Sequence, residues 1–274
     1  MSLNIKGKLY PLGEPKVMGV INVTPDSFYV GSRKDDMSKI LKEVETMLDE
    51  GASFIDIGGY SSRPGALDIS VEEELKRVVK PVEAIMKEFP EAFISIDTFR
   101  SKVADEAINS GASMINDISG GDLDEKMFDV VFKHRVPYIM MHMKGTPQNM
   151  KEKAQYNDLV GEIIFSISSK IKQLASKGIS DIIVDPGFGF AKSVDQNFEL
   201  LSKLELLEIL DKPILVGLSR KSMIYKTLNI KPEEALNGTT VVNTLALLKG
   251  ASILRVHDVK EAVEAVKLVN KLSP

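Results

Sequence analysis

Eight short apolar runs recur along the chain, each ending near a polar residue and giving way to a stretch of helical spacing. The first is Val17 to Ile21, ending at Asn22. Met37 to Glu50 follows with Ile40, Leu41, Val44, Met47 and Leu48 on one helical stripe, and Gly51 stops it. The unit then repeats. Phe54 to Ile57 leads through Gly58 to Gly65 into Val71 to Glu88, and Phe93 to Ile96 ends at Asp97 before the helix Ser101 to Asn109. Ser113 to Asn116 ends at Asp117 and precedes a helix over Glu125 to Lys133; Pro137 to Met141 ends at His142 and precedes a long helix, Asp158 to Lys177. Ile182 to Val184 ends at Asp185, followed by a glycine loop to Lys192 and a helix over Gln196 to Leu210. The seventh run, from Pro213, delivers Ser219, Arg220, Lys221 and Ser222, with helix from Pro232 to Lys249; the eighth, Ile253 to Val256, carries Arg255, with His257 beyond and a last helix to Leu272.

Strict alternation of strand and helix implies parallel strands. Eight such units with short connections predict closure into a (β/α)8 barrel rather than an open doubly wound sheet, which would show one dominant nucleotide loop. No break in composition divides the chain, so residues 1–274 are expected to form one domain, in keeping with the ~250 residues typical of this barrel. The first 13 residues are read as a short lead without an element of their own.

Composition narrows the function. With 43% hydrophobic and 27% charged residues the chain can bury a full core, and its net charge of -4 argues against non-specific nucleic-acid binding. Absence of cysteine removes disulfides, thiolate metal ligands and a cysteine nucleophile. No apolar run reaches the ~18 residues of a membrane span, and the N-terminal stretch has no signal-peptide core, so a cytoplasmic protein is expected.

In a barrel of this kind, residues at the C-terminal ends of the strands converge on one mouth. Here they are Asn22, Asp56, Arg63, Asp97, Asn116, Asp117, His142, Asp185, Lys221, Ser222, Arg255 and His257, more polar groups than helix capping requires, although any single one could cap. Asp185 precedes Pro186 and a glycine loop that lets backbone approach a ligand; deep carboxylates with Asn116 suit the edge of a flat, nitrogen-rich ring, with Phe188 or Phe190 as a wall. Arg63, Lys221, Arg255 and His257 form a cationic group suited to phosphate oxygens, and Asn22 offers one oxygen ligand to Mg²⁺. His134 reads as a surface residue, and the three histidines lack zinc-ligand spacing.

Seven strings in order carry a family resemblance: Met18 to Phe28, Ser61 to Ala66, Ser95 to Thr98, Ile115 to Asp117, Asp185 to Phe190, Ser219 to Ser222 and Arg255 to Asp258. Together they resemble dihydropteroate synthases, the sulfonamide targets of folate synthesis. The resemblance implies condensation of 6-hydroxymethyl-7,8-dihydropterin diphosphate with 4-aminobenzoate, by a transferase that is a cytoplasmic homodimer and uses Mg²⁺. It implies that Asp97, Asn116, Asp185 and Lys221 hold the pterin, with Met140, Phe190 and Gly217 lining the pocket. Asn22, Arg63, Arg255 and His257 would hold the diphosphate and its Mg²⁺, and Thr24, Phe28, Ser62, Arg63, Pro64, Lys221 and Ser222 would border the aminobenzoate. Of these, Asp97, Lys221, Arg63 and Arg255 are expected to be catalytic.

Four positions depart from the family pattern: Val30 where Asp is common, Tyr60 where Glu is, Ser62 where Thr is, and Ala191 where Gly is. Val30 cannot coordinate or accept a hydrogen bond, and Ser62 keeps the hydroxyl but loses a methyl. The alternatives are a pterin-binding methyltransferase on the same barrel and a barrel that binds pterin without turnover.

Overall fold

The computed structural model describes residues 1–23, 33–61 and 68–272. The chain starts with an element the sequence pattern did not suggest. Ser2–Ile5 (β1) and Lys8–Pro11 (β2) pair antiparallel across Lys6 and Gly7, which have φ of 51° and 76°. Two consecutive left-handed residues make the tight turn whose twist matches a hairpin. Leu3 and Ile5 alternate inward and are 1% exposed. They plug the N-terminal end of the barrel.

Eight parallel strands then close the barrel. They are Lys16–Asn22 (β3), Phe54–Gly58 (β4), Ile94–Asp97 (β5), Met114–Asp117 (β6), Tyr138–Met141 (β7), Ile182–Asp185 (β8), Ile214–Val216 (β9) and Ala251–Val256 (β10), in the closed order β10-β3-β4-β5-β6-β7-β8-β9. This is the (β/α)8 architecture expected. Helices cover the outside: Arg33–Asp49 (α1), Val71–Glu88 (α2), Ser101–Asn109 (α3), Met127–His134 (α4), Leu159–Ser176 (α5), Val194–Ser202 (α6), Ser222–Leu228 (α7), Leu236–Leu248 (α8) and Val259–Val269 (α9).

Three helical boundaries differ from the pattern. The stretch expected as one helix to Leu210 ends at Ser202 and continues as a 3-10 turn, Leu204–Leu210, whose leucines keep the apolar spacing. Pro232–Glu234 is likewise a separate 3-10 turn before α8, and α7 is a short helix that apolar periodicity over seven residues cannot reveal. Asn229 ends α7 in the left-handed conformation, φ 54°.

The two-residue period of a strand sorts side chains into an outer shell and an interior. Outward residues such as Ile55, Ile94, Ile115, Tyr138, Met140, Val184 and Val216 pack beneath the helices in the main core. Each fully buried aliphatic side chain there contributes roughly 1.5–3 kcal/mol. Inward residues stack in layers. Met18, Phe54, Met114, Ile139, Ile183, Leu215 and Ile253 form an apolar floor with Leu3, Ile5 and Leu12 of the N-terminal segment. Two residues further along most of these strands the interior turns polar, with Asp56, Asn116, Asp185 and Arg255. Thus the plugged end is dry and the C-terminal end is charged. Gly19 lets α1 and α9 close on β3, since a Cβ there would meet Met47 Sδ at 2.5 Å and Val259 Cγ2 at 3.2 Å.

Candidate active site

A cavity opens at the C-terminal end of the barrel, directly above the polar layer. Asp97, Asn116, Asp185 and Lys221 line it together with Gly217 and Arg255, and Ile118, Met141, Phe188 and Phe190 supply its apolar walls. Gly217 leaves the floor open: a Cβ there would meet no atom within 4 Å and would project into free space.

The charged groups interlock. Arg255 donates from Nε to Asp56 Oδ2 at 2.6 Å and from Nη2 to Asp97 Oδ2 at 2.7 Å, and Asn116 Nδ2 donates to the same Asp56 oxygen at 2.9 Å. Burial pushes Asp97 up to about 7 against the pull of Arg255, with Asp56 adding repulsion. Arg255 is held above its ordinary range, because Asp56 and Asp97 outweigh a burial that would favour its neutral form. Asp185 is raised by burial, opposed by the Gly187 N–H at 2.7 Å and by Lys221. Lys221 is lowered to about 8 by burial, against the pull of Asp185; its Nζ donates to Phe188 O at 2.7 Å and sits 4.4 Å from the Phe190 ring centroid. The cavity therefore presents two carboxyl groups, one of them with a pKa near neutrality, together with a carboxamide and an ammonium. That set matches a heterocycle with donors and acceptors along its edge.

Among the expected residues, Met140 is misplaced by one position. It is outward-facing and fully buried under the helices, and Met141 lines the cavity instead. The period of two decides this, since Ile139 below it points inward. Asn22 ends β3 and is half-buried, Ser222 opens α7, and neither lines the cavity. His257 is exposed, with Nδ1 3.0 Å from Ser219 Oγ, which also accepts from the His257 N–H at 3.3 Å. Thr24, Phe28, Ser62, Arg63, Pro64 and the variant Val30 lie outside the described residues.

Other polar residues of the mouth have structural partners. Asp117 accepts from Ser119 N and Oγ, Gly121 N and Tyr138 Oη, so it shapes its own loop. Arg220 makes a bidentate pair with Asp258 at 3.0 and 2.8 Å and caps the carbonyls of Pro232 and Glu233, tying the loops after β9 and β10 together rather than facing an anion. His134 is half-buried against Asp105 at 2.5 Å, not a free surface residue.

Tyr60 is buried. Its hydroxyl accepts from Gln148 Nε2 at 2.9 Å and its ring meets Phe99 edge-on at 5.1 Å. Arg100 lies 5.2 Å over both rings and reaches Glu74 at 2.9 Å and Asp68 at 3.0 Å. An aromatic side chain thus serves at this position through packing and hydrogen bonding.

With the geometry in place, residues 18–257 match the family of pterin binding enzymes. The chain belongs to that family. Dihydropteroate synthase of Escherichia coli strain K12 is 42% identical over 272 residues, covering 98% of this chain and 95% of that protein. The synthase of Bacillus subtilis strain 168 is 42% identical, covering 93% and 88%. Among solved structures, Yersinia pestis dihydropteroate synthase in complex with a sulfonamide drug superposes with a TM-score of 0.93 at 40% identity, covering 99% of both chains. The Xanthomonas albilineans synthase with 4-aminobenzoic acid superposes at 0.92 with 36% identity, covering 99% and 97%. As a pterin-binding family member, the chain carries its polar layer where a barrel enzyme holds its substrate. No helix among the described residues is long and apolar enough to cross a membrane.

Proposed function

We propose that this chain is a folate-pathway transferase that joins 6-hydroxymethyl-7,8-dihydropterin diphosphate to 4-aminobenzoate, giving 7,8-dihydropteroate and pyrophosphate. The observation that carries this reading is the slot over Gly217, where Asp97, Asn116, Asp185 and Lys221 converge beside Phe190. Its relatives named above are dihydropteroate synthases, which favours this over the methyltransferase alternative.

In this reading Asn116 and Asp185 bond the edge of the pterin and Phe190 covers a face. Asp97, with a pKa near neutrality, is present in part as the carboxylate that the developing charge on the ring requires. Breaking the bond between the pterin methylene and the diphosphate oxygen leaves cation character on the pterin and a further negative charge on pyrophosphate. The carboxylates of Asp97 and Asp185 stabilise the first, and Lys221 and Arg255 the second. Both electrons of the new C–N bond come from the lone pair of the neutral aniline nitrogen of 4-aminobenzoate, which then passes one of its two protons to solvent. No strong base is needed.

Resemblance assigns Arg63 and His257 to the diphosphate as well, Thr24, Phe28, Ser62, Pro64 and Ser222 to the aminobenzoate border, and Asn22 to Mg²⁺. The described residues contain no group of three His, Asp or Glu fit to cage a metal. A single neutral oxygen from Asn22 fits an ion that keeps most of its waters and rests on phosphate oxygens. Bound there, Mg²⁺ would neutralise charge on the leaving group.

We also propose a homodimer through α8. Val241, Leu245 and Leu248, spaced by four and three residues, share one face and are 52%, 43% and 56% exposed.

The test of the activity is pyrophosphate release with the dihydropterin diphosphate and Mg²⁺, with and without 4-aminobenzoate, while dihydropteroate is followed by mass. Equal, aminobenzoate-dependent formation of both products is expected. Pterin binding without either product would overturn the reading in favour of a non-catalytic barrel.

A further inference from the structure

The turn after β8, residues 186–191, is held by side chains at several of its backbone polar atoms. Gly187, Gly189 and Ala191 have φ of 75°, 80° and 48°. Such a backbone points successive carbonyls outward and leaves them without helix or strand partners. Here four of them find side-chain donors. Lys192 Nζ donates to Gly187 O at 2.9 Å and Phe190 O at 3.1 Å, Lys221 Nζ to Phe188 O at 2.7 Å, and Tyr156 Oη to Ala191 O at 3.0 Å. Asn197 Oδ1 accepts from Gly189 N at 2.7 Å.

The two lysines divide the work by side. Lys221 lines the cavity; Lys192 does not, and it approaches the turn beside His142, with Nζ 3.4 Å from Nδ1. Burial holds His142 down at about 3, with Lys192, Lys170 and Lys144 adding to the effect, so that ring is neutral beside the amine. Burial pulls Lys192 itself down to about 7, opposed by the Asp185 carboxylate, and its ammonium finds further compensation in the two carbonyls. Those carbonyls flank Phe188 and Phe190, and the Gly187 N–H fixes Asp185.

We infer that Lys192, from outside the cavity, is a positioning residue that sets the Phe190 ring and the Asp185 carboxylate for the pterin. Removing its ammonium leaves Gly187 O and Phe190 O without these donors, and the turn loses the support on the side away from Lys221. The consequence is selective. Pterin affinity falls, whereas the aminobenzoate, which by resemblance binds against other loops, is held as before. The inference rests on the pterin reading of the site.

The absence of cysteine in the chain gives a direct experiment. Lys192→Cys, unfolded, treated with 2-bromoethylamine and refolded, carries a thioether analogue of lysine at that one position. Thermal melting establishes that each form is folded, and binding of 6-hydroxymethylpterin is read by fluorescence. Lys192→Cys is expected to bind the pterin about tenfold more weakly than the unaltered protein. Its KM for 4-aminobenzoate, at saturating pterin diphosphate, should stay within about threefold. Aminoethylation should restore pterin affinity. If the cysteine variant does not refold, Lys192→Met keeps the length of the side chain without the ammonium and is held to the same split. Pterin affinity unchanged within about twofold, equal losses for both substrates, or no recovery on aminoethylation each overturn the inference. Failure of the unaltered protein to bind the pterin overturns the pterin reading itself.

Discussion

Asp56 and Arg255 lie 199 positions apart in the chain and meet at 2.6 Å inside the barrel. The Asp56 oxygen that accepts from Arg255 also accepts from Asn116, so one carboxylate couples the cationic side of the cavity to its carboxamide. Asp56 itself is fully buried and does not line the cavity. Its role is to aim two groups that do.

Asp56→Ala should therefore damage both stability and binding. Breaking a buried pair costs about 3–5 kcal/mol, but Arg255 keeps Asp97 and is itself partly exposed, so about 2 kcal/mol is expected. Denaturant unfolding measures it, and kcat/KM for the pterin diphosphate should fall at least about tenfold in protein that is still folded. A variant with unchanged stability would mean that Arg255 finds an equivalent partner elsewhere.

Asp97 gives a pH prediction whose sign follows from linkage. Its pKa rises from 3.8 to about 7 on folding, so between those values the folded protein binds more proton than the unfolded one. The contribution of Asp97 to the stability of the unliganded protein therefore falls as pH rises from about 4 to about 7, with a slope of at most ~1.4 kcal/mol per pH unit. Asp97→Asn removes that contribution. Plotted from pH 4.5 to 7, the unfolding free energy should have a more negative slope in the parent than in the variant. Parallel slopes would show that Asp97 stays ionised throughout, because Arg255 outweighs its burial.

The pattern of residues carried the barrel and most of the mouth, because strand ends in this architecture are polar where the interior stops being filled. It failed where a single residue of register matters. Met140 and Met141 are the same amino acid in adjacent positions, and only the inward direction of Ile139 assigns the second to the cavity. Leu3 and Ile5 alternate over too few residues to stand out, although Gly7 marks their turn. Arg220 and Asp258 were legible as charges but not as partners, since nothing local in the chain brings residues 38 apart together.

Ala191 sets one effect against two others of similar size. An L residue at φ 48° is strained by roughly 1 kcal/mol, which Ala191→Gly relieves. The methyl is 3% exposed and packs with Ile118, Met141, Met143 and Met150, and its loss costs about 0.8 kcal/mol. Glycine also frees the unfolded chain, by about 0.4–1 kcal/mol. The variant should lie within about 1 kcal/mol of the parent, on the less stable side, as read from the denaturant midpoint. Clear stabilisation would mean that the strain at this turn exceeds its packing.

The face of α8 supplies the last prediction. Val241, Leu245 and Leu248 expose apolar surface in a row, on a helix whose opposite side, with Val242, Ala246 and Leu247, is already buried in the core. A helix apolar on both sides is covered on both sides in a stable assembly. A charge introduced at the exposed centre leaves the fold intact, since Leu245 makes no part of the core, but must be desolvated if a second copy packs there. Leu245→Glu should consequently shift sedimentation from dimer to monomer, weakening association by about 2 kcal/mol or more, with little change in monomer stability. An unaltered protein that sediments as a monomer, or a variant that dimerises as before, would remove α8 from the interface.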